Sequence, residues 1–139
     1  MAADERVHGG RRACSSFWRG FGGSYGRCIW RHQGTHDSFP GWVHNSPLSE
    51  SLIVGESIGE ALAGRRPVAF LQFADFLPIA YTQIVSELGS MYWRTDGQWQ
   101  APVIVMITCG GSKPGRGPFH ASSLEAIASH TPGIDVFMP

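Results

Sequence analysis

The chain has 139 residues, the size of one domain, of which 42% are apolar and 16% charged. Eleven basic residues balance eleven acidic ones, so neither nucleic acid nor an anionic membrane is expected as an electrostatic partner. No apolar run reaches the roughly 18 residues of a transmembrane helix, and the N-terminus lacks the apolar core of a secretory signal. Three scattered cysteines are too few for a disulfide framework or a zinc site, so we expect a reducing, cytoplasmic setting and no metal ligands.

The first 36 residues differ in character from the rest. Residues 1–45 hold six arginines against three acidic residues, and residues 1–38 contain seven glycines and five large aromatic residues without regular spacing. Neither a helical nor a strand period persists there. We therefore predict an Arg/Gly/aromatic arm over residues 1–36, poorly ordered or foreign to the fold, before a domain over residues 37–139. The alternative is a nucleic-acid-binding tail, since arginines bind phosphates and rings stack on bases.

The remaining sequence predicts strands and helices in alternation. Ser46 and Pro47 are typical of a helix start, and Gly64 of its end. Next we expect a buried strand over 68–73, a helix from 77 to about 93 and a turn over 95–98. A second buried strand over 102–108 is followed by a glycine-rich loop over 109–119. The last predicted elements are a helix capped by Ser122 or Ser123 and ending near 130, and a strand over 134–137. This pattern predicts an α/β fold of three layers, a mainly parallel sheet with helices on both faces.

Ligands of open parallel sheets bind outside the carboxyl ends of the strands, which here are residues 72–76, 108–111 and 138–139. The glycine-rich loop after the second of these strands matches neither the Walker pattern nor GxGxxG, so a phosphate loop is not expected. Three residues near these ends invite a functional interpretation. Each of them also has a simpler structural interpretation. The helix dipole favours a carboxylate at the position of Glu50, His120 can be an exposed loop histidine, and Phe76 can belong to the core.

Several spaced motifs resemble one family in order and spacing. They are Ser-Pro-Leu-Ser-Glu at 46–50, Gly-Arg-Arg-Pro-Val at 64–68, Gln-Phe-Ala-Asp-Phe at 72–76, Gln-Ile-Val at 83–85, Tyr-Trp-Arg-Thr-Asp-Gly-Gln-Trp at 92–99, His-Ala-Ser-Ser-Leu-Glu-Ala at 120–126 and His-Thr-Pro-Gly-Ile at 130–134. From about residue 37 onward, the chain is similar to the transketolase-like pyrimidine-binding domain in the beta subunit of thiamine-diphosphate-dependent 2-oxo acid dehydrogenases.

The resemblance implies thiamine diphosphate as cofactor and assigns roles to five residues. Glu50 matches the catalytic glutamate that hydrogen-bonds the pyrimidine nitrogen N1′, where a carboxyl in a dry pocket shares a proton and promotes deprotonation of the thiazolium carbon. Phe76 matches an aromatic residue that packs against the pyrimidine, and Leu48 and Gln72 match further cofactor-pocket positions. His120 matches the histidine that handles the substrate carboxylate and acyl transfer to a lipoyl group. The implied reaction is oxidative decarboxylation of a 2-oxo acid.

The chain also departs from the family pattern. Ile107 stands where the family usually carries arginine, and His-Ala-Ser-Ser at 120–123 replaces His-Ser-Gln-Ser. Residues 1–36 do not follow the family, and the chain stops near the middle of a full-length beta subunit, so the predicted fold is incomplete at both ends. These departures affect the expected substrate and partner contacts more than the cofactor pocket.

The resemblance also implies partners. The magnesium-clamped diphosphate site of the superfamily uses a Gly-Asp-Gly motif that this sequence lacks, so Mg²⁺ is expected on an alpha-type subunit. A second beta chain and a lipoyl acyltransferase are the other implied partners, with the mitochondrial matrix as the location in a eukaryote. Tyr92, Trp93, Trp99 and Phe119 suit an interface or a local aromatic cluster. The alternatives are a non-catalytic interaction module, or a relative of transketolase or deoxyxylulose-phosphate synthase.

Overall fold

The computed structural model describes residues 41–111, 115 and 117–139, and residues 16–20 together with Asn45 by their backbone alone. Its strands are β1 (Ser16–Gly20), β2 (Val43–Ser46), β3 (Pro67–Leu71) and β4 (Ile104–Ile107). They form one sheet in the order β2-β1-β3-β4, and every neighbouring pair is parallel. The prediction of an α/β fold with a parallel sheet is confirmed.

Strand β1 lies inside the sheet although the sequence predicts no strand there. It pairs with β2 on one side and with β3 on the other, and Trp18 lies in register with both His44 and Ala69. The rest of residues 1–36 lies outside the described residues, so the predicted boundary between an arm and a domain stays a prediction. What the backbone shows is that this segment supplies a central strand.

Helical structure follows the strands in chain order. Helix α1 spans Glu50–Leu62, a 3-10 helix spans Ala74–Ala80, a π-helix spans Gln83–Gly89, helix α2 spans Ser90–Arg94 and helix α3 spans Glu125–Ser129. The single helix predicted from 77 to about 93 is therefore a run of three helical types that begins earlier. None of the helices in the described part of the chain is long and apolar enough to cross a membrane.

The core lies between the sheet and these helices. Ala69 and Leu71 of β3 are at most 1% exposed and belong to one cluster with α1, the 3-10 helix, the π-helix and α2. The other members are Ile53, Val54, Ile58, Leu77, Ala80, Ile84 and Met91, with Leu124, Ile127 and Ile134 packed against them. Because side chains alternate along a strand, Phe70 between Ala69 and Leu71 is buried on the opposite face of the sheet.

The prediction that Ser46 caps the first helix is wrong. Ser46 is the last residue of β2, paired with Gly20 of β1, and the helix begins four residues later at Glu50 with Ser49 in the cap position. The predicted end of this helix at Gly64 agrees better with the structure. Helix α1 stops at Leu62, and Gly64, two residues later, adopts a φ of +89° that favours glycine. Pairing with the unpredicted strand β1 therefore moves the helix start along the chain.

The prediction of a strand over residues 134–137 is also wrong. No described strand pairs with this segment, and only Ile134 in it packs against the core. Phe137 is 86% exposed. The helix before it is shorter than expected, because α3 begins at Glu125 with Leu124, rather than Ser122 or Ser123, in the cap position. The apolar run of 134–137 predicted a buried strand that the described sheet does not include.

We predict that Gly89→Ala destabilises the fold. A Cβ on Gly89 would lie 2.7 Å from Thr131 Cγ2 and 2.8 Å from the Pro132 carbonyl oxygen, so the backbone of the overlying segment must move. Overpacking of this kind costs about 1–3 kcal/mol. Urea unfolding followed by tryptophan fluorescence measures the free energy of unfolding.

Gly59→Ala is the matched control for this substitution. Gly59 is exposed within α1 and a Cβ there would meet nothing within 4 Å, so alanine should stabilise the protein by about 0.5–1 kcal/mol. Equal stability of Gly89→Ala and wild type would contradict the close packing of residues 131–133 on the π-helix.

Candidate functional site

The carboxyl ends of β3 and β4 are joined directly. The Thr108 hydroxyl donates a hydrogen bond to the Gln72 carbonyl oxygen. The Ala74 N–H donates to the Thr108 carbonyl oxygen at 2.8 Å. Both segments leave their strands at the same edge because the strands are parallel. The loops that follow them are therefore held side by side.

Three rings meet above this edge. Phe73 and Phe76 flank the start of the 3-10 helix, where residues three apart lie on the same side. Their ring centroids are 6.1 Å apart in an edge-to-face arrangement. The His120 ring approaches Phe73 at 4.8 Å and Phe76 at 5.9 Å, nearly perpendicular to both. The structure thus brings together two of the residues predicted for the site, Phe76 and His120.

Ser122 ties the His120 segment to the rest of the edge. Its hydroxyl donates to Asp75 Oδ1 at 2.5 Å, and its backbone N–H donates to Asp75 Oδ2 at 3.3 Å. Its carbonyl oxygen accepts a hydrogen bond from the Gly110 N–H at 3.3 Å. One residue therefore links the 3-10 helix after β3 with the segment after β4.

These contacts affect the ionisation of Asp75. The Ser122 hydroxyl, which donates to the carboxylate, holds the pKa of Asp75 below its ordinary value of 3.8. The Ser122 backbone bond and the nearby His120 act in the same direction, while partial desolvation opposes them. Asp75 is therefore a carboxylate at neutral pH, positioned to accept hydrogen bonds.

Glu50 lies at the same edge of the sheet, at the start of α1. It is 6% exposed, an unusual burial for a glutamate, and the helix dipole favours a carboxylate in the first turn. The neighbouring Ser51 hydroxyl donates to the Ile79 carbonyl oxygen at 2.6 Å, which joins α1 to the 3-10 helix that carries Phe76. Only β1 separates β2 from β3, so about 10 Å lies between the two strand ends.

At the end of β2, a buried hydroxyl has no hydrogen-bond partner among the described residues. Ser46 is 5% exposed, and its Oγ makes no hydrogen bond within the described part of the chain. Buried polar groups normally find partners, because desolvation without compensation costs about 1–3 kcal/mol. The Ser46 hydroxyl therefore leaves unused hydrogen-bonding capacity at the carboxyl end of β2.

The other predicted site residues are placed differently. Leu48 is 61% exposed, and Gln72 is half-buried with its carbonyl oxygen bound by Thr108. Ile107, where the family usually carries arginine, packs against the core.

Cys109 is exposed, and no group of three His, Cys, Asp or Glu residues in the described ranges lies close enough to hold a metal ion.

A parallel α/β domain with a buried carboxylate and an aromatic cluster at the carboxyl edge defines a class of ligand-binding domain. Comparison with known families makes the class specific: the model of the transketolase pyrimidine binding domain matches residues 1–139. The chain belongs to this family, and the resemblance seen in its sequence motifs is confirmed. The match includes the segment that supplies β1.

The chain is also similar to curated dehydrogenase subunits. It is 41% identical over 97 residues to the beta subunit of 2-oxoisovalerate dehydrogenase from Bacillus subtilis, and 36% identical over 121 residues to its mitochondrial counterpart from Dictyostelium discoideum. A pyruvate dehydrogenase E1 component subunit beta from Acholeplasma laidlawii is 33% identical over 97 residues. The matches cover 70%, 86% and 70% of this chain, but only 29%, 32% and 29% of the relatives.

Sequence reasoning misses the contact between Asp75 and Ser122. Asp75 follows a buried strand, so the rule for carboxyl ends could have singled it out. The sequence favours Ser122 as a helix cap instead, and nothing in it pairs two residues 47 positions apart. Ser46 likewise resembles a cap in the sequence, although it is the buried last residue of β2.

We predict that Ser122→Ala raises the pKa of Asp75 toward its ordinary value, because the hydroxyl that stabilises the carboxylate is removed. In the wild type the contact stabilises the fold at neutral pH, above the unfolded value, and this contribution is lost as pH falls through the lowered folded pKa. Carboxyl ¹³C shifts followed from pH 7 to about pH 2 measure the titration. An unchanged Asp75 pKa in Ser122→Ala would contradict the assigned contact.

Proposed function

We propose that this chain is the pyrimidine-binding half of a thiamine-diphosphate-dependent 2-oxo acid dehydrogenase. The reaction is the oxidative decarboxylation of a 2-oxo acid with transfer of the acyl group to a lipoyl domain. The observation that carries the proposal is the burial of Glu50 at the sheet edge that also holds Phe76 and His120. Membership of the pyrimidine-binding family and the dehydrogenase beta subunits among the relatives support it.

The residues at this edge fit an aminopyrimidine. Such a ring needs hydrogen-bonding groups in its plane and apolar contact on its face. Glu50 and the Ser46 hydroxyl, which has no partner in the described ranges, offer the first within a buried setting. The half-buried Phe76 offers the second, and the strand spacing of about 10 Å leaves room for one ring between them.

Thiamine diphosphate, when bound, supplies a thiazolium carbon that adds to the substrate carbonyl and accepts the electrons released by decarboxylation. The role of Glu50 is to hold a proton at N1′, because a buried carboxyl can share a proton with a ring nitrogen. Aspartate would be about one methylene too short, and the glutamine amide has no acidic proton to share with the ring nitrogen. Phe76 packs against the ring, and Leu48 and Gln72 line the pocket.

His120 acts at the open side of the site. Its ring is exposed on one side and contacts Phe73 and Phe76 on the other, so it is accessible to a substrate and to a lipoyl group. An imidazole near the cofactor can bind the substrate carboxylate when protonated and move a proton during acyl transfer. The exposure of Leu48, at 61%, is consistent with a pocket that a second chain closes.

The proposed partners are an alpha-type subunit that carries the Mg²⁺-diphosphate site, a second beta chain and a lipoyl acyltransferase. Tyr92, Trp93, Trp99 and Phe119 are between 56% and 85% exposed. Exposed aromatic rings of this kind are enriched at protein interfaces. We assign them to the contact with the alpha-type subunit.

Glu50→Gln tests the proposed proton partner. In a mixture of the chain with its alpha-type subunit, this variant should decarboxylate about 10²–10⁴ times more slowly, the usual scale of general acid–base catalysis. Single-turnover decarboxylation of the 2-oxo acid measures the step. Glu60→Gln on the same helix is the control, since Glu60 binds Arg65 at the helix end and should leave the rate unchanged.

A Glu50→Gln variant as fast as wild type would exclude Glu50 as the proton partner. Association with the alpha-type subunit without any cofactor-dependent turnover, in wild type as well, would instead favour the alternative of a non-catalytic interaction module.

Trp93→Ala tests the interface. Trp93 is 85% exposed, so its removal should leave the fold intact, and a central interface tryptophan contributes about 2 kcal/mol or more, or about 30-fold in Kd. Analytical ultracentrifugation with the alpha-type subunit measures the affinity. Trp93→Phe should retain most of it, and unchanged binding of Trp93→Ala would place the interface elsewhere.

A further inference from the structure

Asp75 and Ser122 form a two-point contact between segments 47 positions apart. Both carboxylate oxygens of Asp75 are used, one by the Ser122 hydroxyl at 2.5 Å and the other by the Ser122 N–H at 3.3 Å. Hydrogen bonds to a charged acceptor are shorter and stronger than neutral ones, and two of them fix direction as well as distance. This contact therefore orients the backbone at Ser122.

The anchored residue is only two positions from His120. Consecutive Cα atoms lie about 3.8 Å apart, so a fixed Ser122 restricts where the His120 backbone can go. The Ser122 carbonyl oxygen also accepts from the Gly110 N–H at 3.3 Å, which attaches the same residue to the end of β4. Three hydrogen bonds thus hold this point of the loop.

His120 needs such support because little else holds it. Its side chain is exposed, and apart from a weak electrostatic interaction with Asp75 its described contacts are edge-to-face approaches to Phe73 and Phe76. Contacts of this type are weak on their own. The rings it meets lie on the segment that contains Asp75, so a bond from Asp75 to the His120 segment also sets the separation of the rings.

Among the described contacts, the Ser122 hydroxyl does not cap its own helix. A serine just before a helix usually caps it, but α3 begins at Glu125 with Leu124 in the cap position, and no side chain caps that helix. The hydroxyl is directed to Asp75 instead. This use of Ser122 across the fold, rather than within its own helix, is the feature that indicates a positioning function.

We propose that Asp75 is a positioning residue that acts through Ser122 to hold the His120 imidazole against Phe73 and Phe76. The significance of this placement for turnover rests on the proposed function, in which His120 meets the substrate. The placement itself is a property of the 139-residue chain. It can be tested without cofactor or partner.

The test compares Asp75→Ala, Ser122→Ala and the double variant with wild type by NMR. The readout is the nuclear Overhauser effect between the His120 and Phe73 ring protons, with His120 assigned from the signals missing in His120→Gln. We expect this signal to disappear in Asp75→Ala, which removes both bonds, and to weaken in Ser122→Ala, which removes the hydroxyl bond and keeps the backbone N–H bond. The double variant should behave like Asp75→Ala, because the serine hydroxyl acts only through the Asp75 carboxylate. Ser122→Ala keeps the Asp75 charge, so its effect cannot come from a missing attraction between Asp75 and His120.

Two controls keep the result specific. Ser129→Ala removes a serine hydroxyl that bonds the Ala126 carbonyl oxygen at 3.1 Å within α3, and it should leave the ring contact intact. Ser122→Thr keeps a hydroxyl and should retain the ring contact. Methyl contacts between Ile53 and Leu71 in the core show whether each variant is folded.

An unchanged Overhauser signal in folded Asp75→Ala and Ser122→Ala would overturn the proposal. If both alanine variants fail to fold, Ser122→Thr and Asp75→Asn replace them. Ser122→Thr keeps the hydroxyl and should keep the Overhauser signal, whereas Asp75→Asn loses one of the two acceptor oxygens and should weaken it. A missing signal in folded Ser122→Thr, or an unchanged signal in folded Asp75→Asn, overturns the proposal.

Turnover of the same variants in the assembled enzyme separates the positioning of His120 from its catalytic role. A missing Overhauser signal together with an unchanged kcat supports the positioning but contradicts the catalytic role. A missing signal together with a lower kcat supports both.

Discussion

Parallel pairing of β3 with β4 is the constraint on which the site depends. Because the two strands run in the same direction, their carboxyl ends meet, and Thr108 joins the loops by bonding the backbone around Gln72 and Ala74. The aromatic cluster and the Asp75–Ser122 contact both form above this junction. An antiparallel pairing would send the two loops to opposite edges and separate His120 from Phe76.

The sequence predicted the α/β class and the presence of strands β3 and β4. The prediction that both strands are buried holds for β3 but is wrong for β4, where Ile104 is 61% exposed and the other residues are only partly buried. The presence of both strands followed from strong local signals, since β3 and β4 are apolar runs bounded by turn residues. The motifs also predicted that Phe76 and His120 share one site, and the structure brings their rings to 5.9 Å. Their catalytic and binding roles remain predictions.

What the sequence could not predict are features set by long-range pairing. Strand β1 carries Arg19 and Gly20 within a glycine-rich segment and is selected by two neighbouring strands rather than by its own residues. That pairing extends β2 through Ser46 and displaces the expected helix cap. Ser122 is likewise expected as a cap, but a distant carboxylate takes its hydroxyl. In each case a tertiary contact overrides a local preference.

The central claim is that Glu50 faces an aminopyrimidine across the carboxyl edge of the sheet. The most direct measurement is a crystal structure of the chain assembled with its alpha-type subunit and thiamine diphosphate. The expected result is a Glu50 carboxyl oxygen about 2.6–3.2 Å from the pyrimidine N1′, with Phe76 against the ring face. A pyrimidine bound away from β2 and β3, or a Glu50 carboxyl turned toward solvent, would contradict the proposed function.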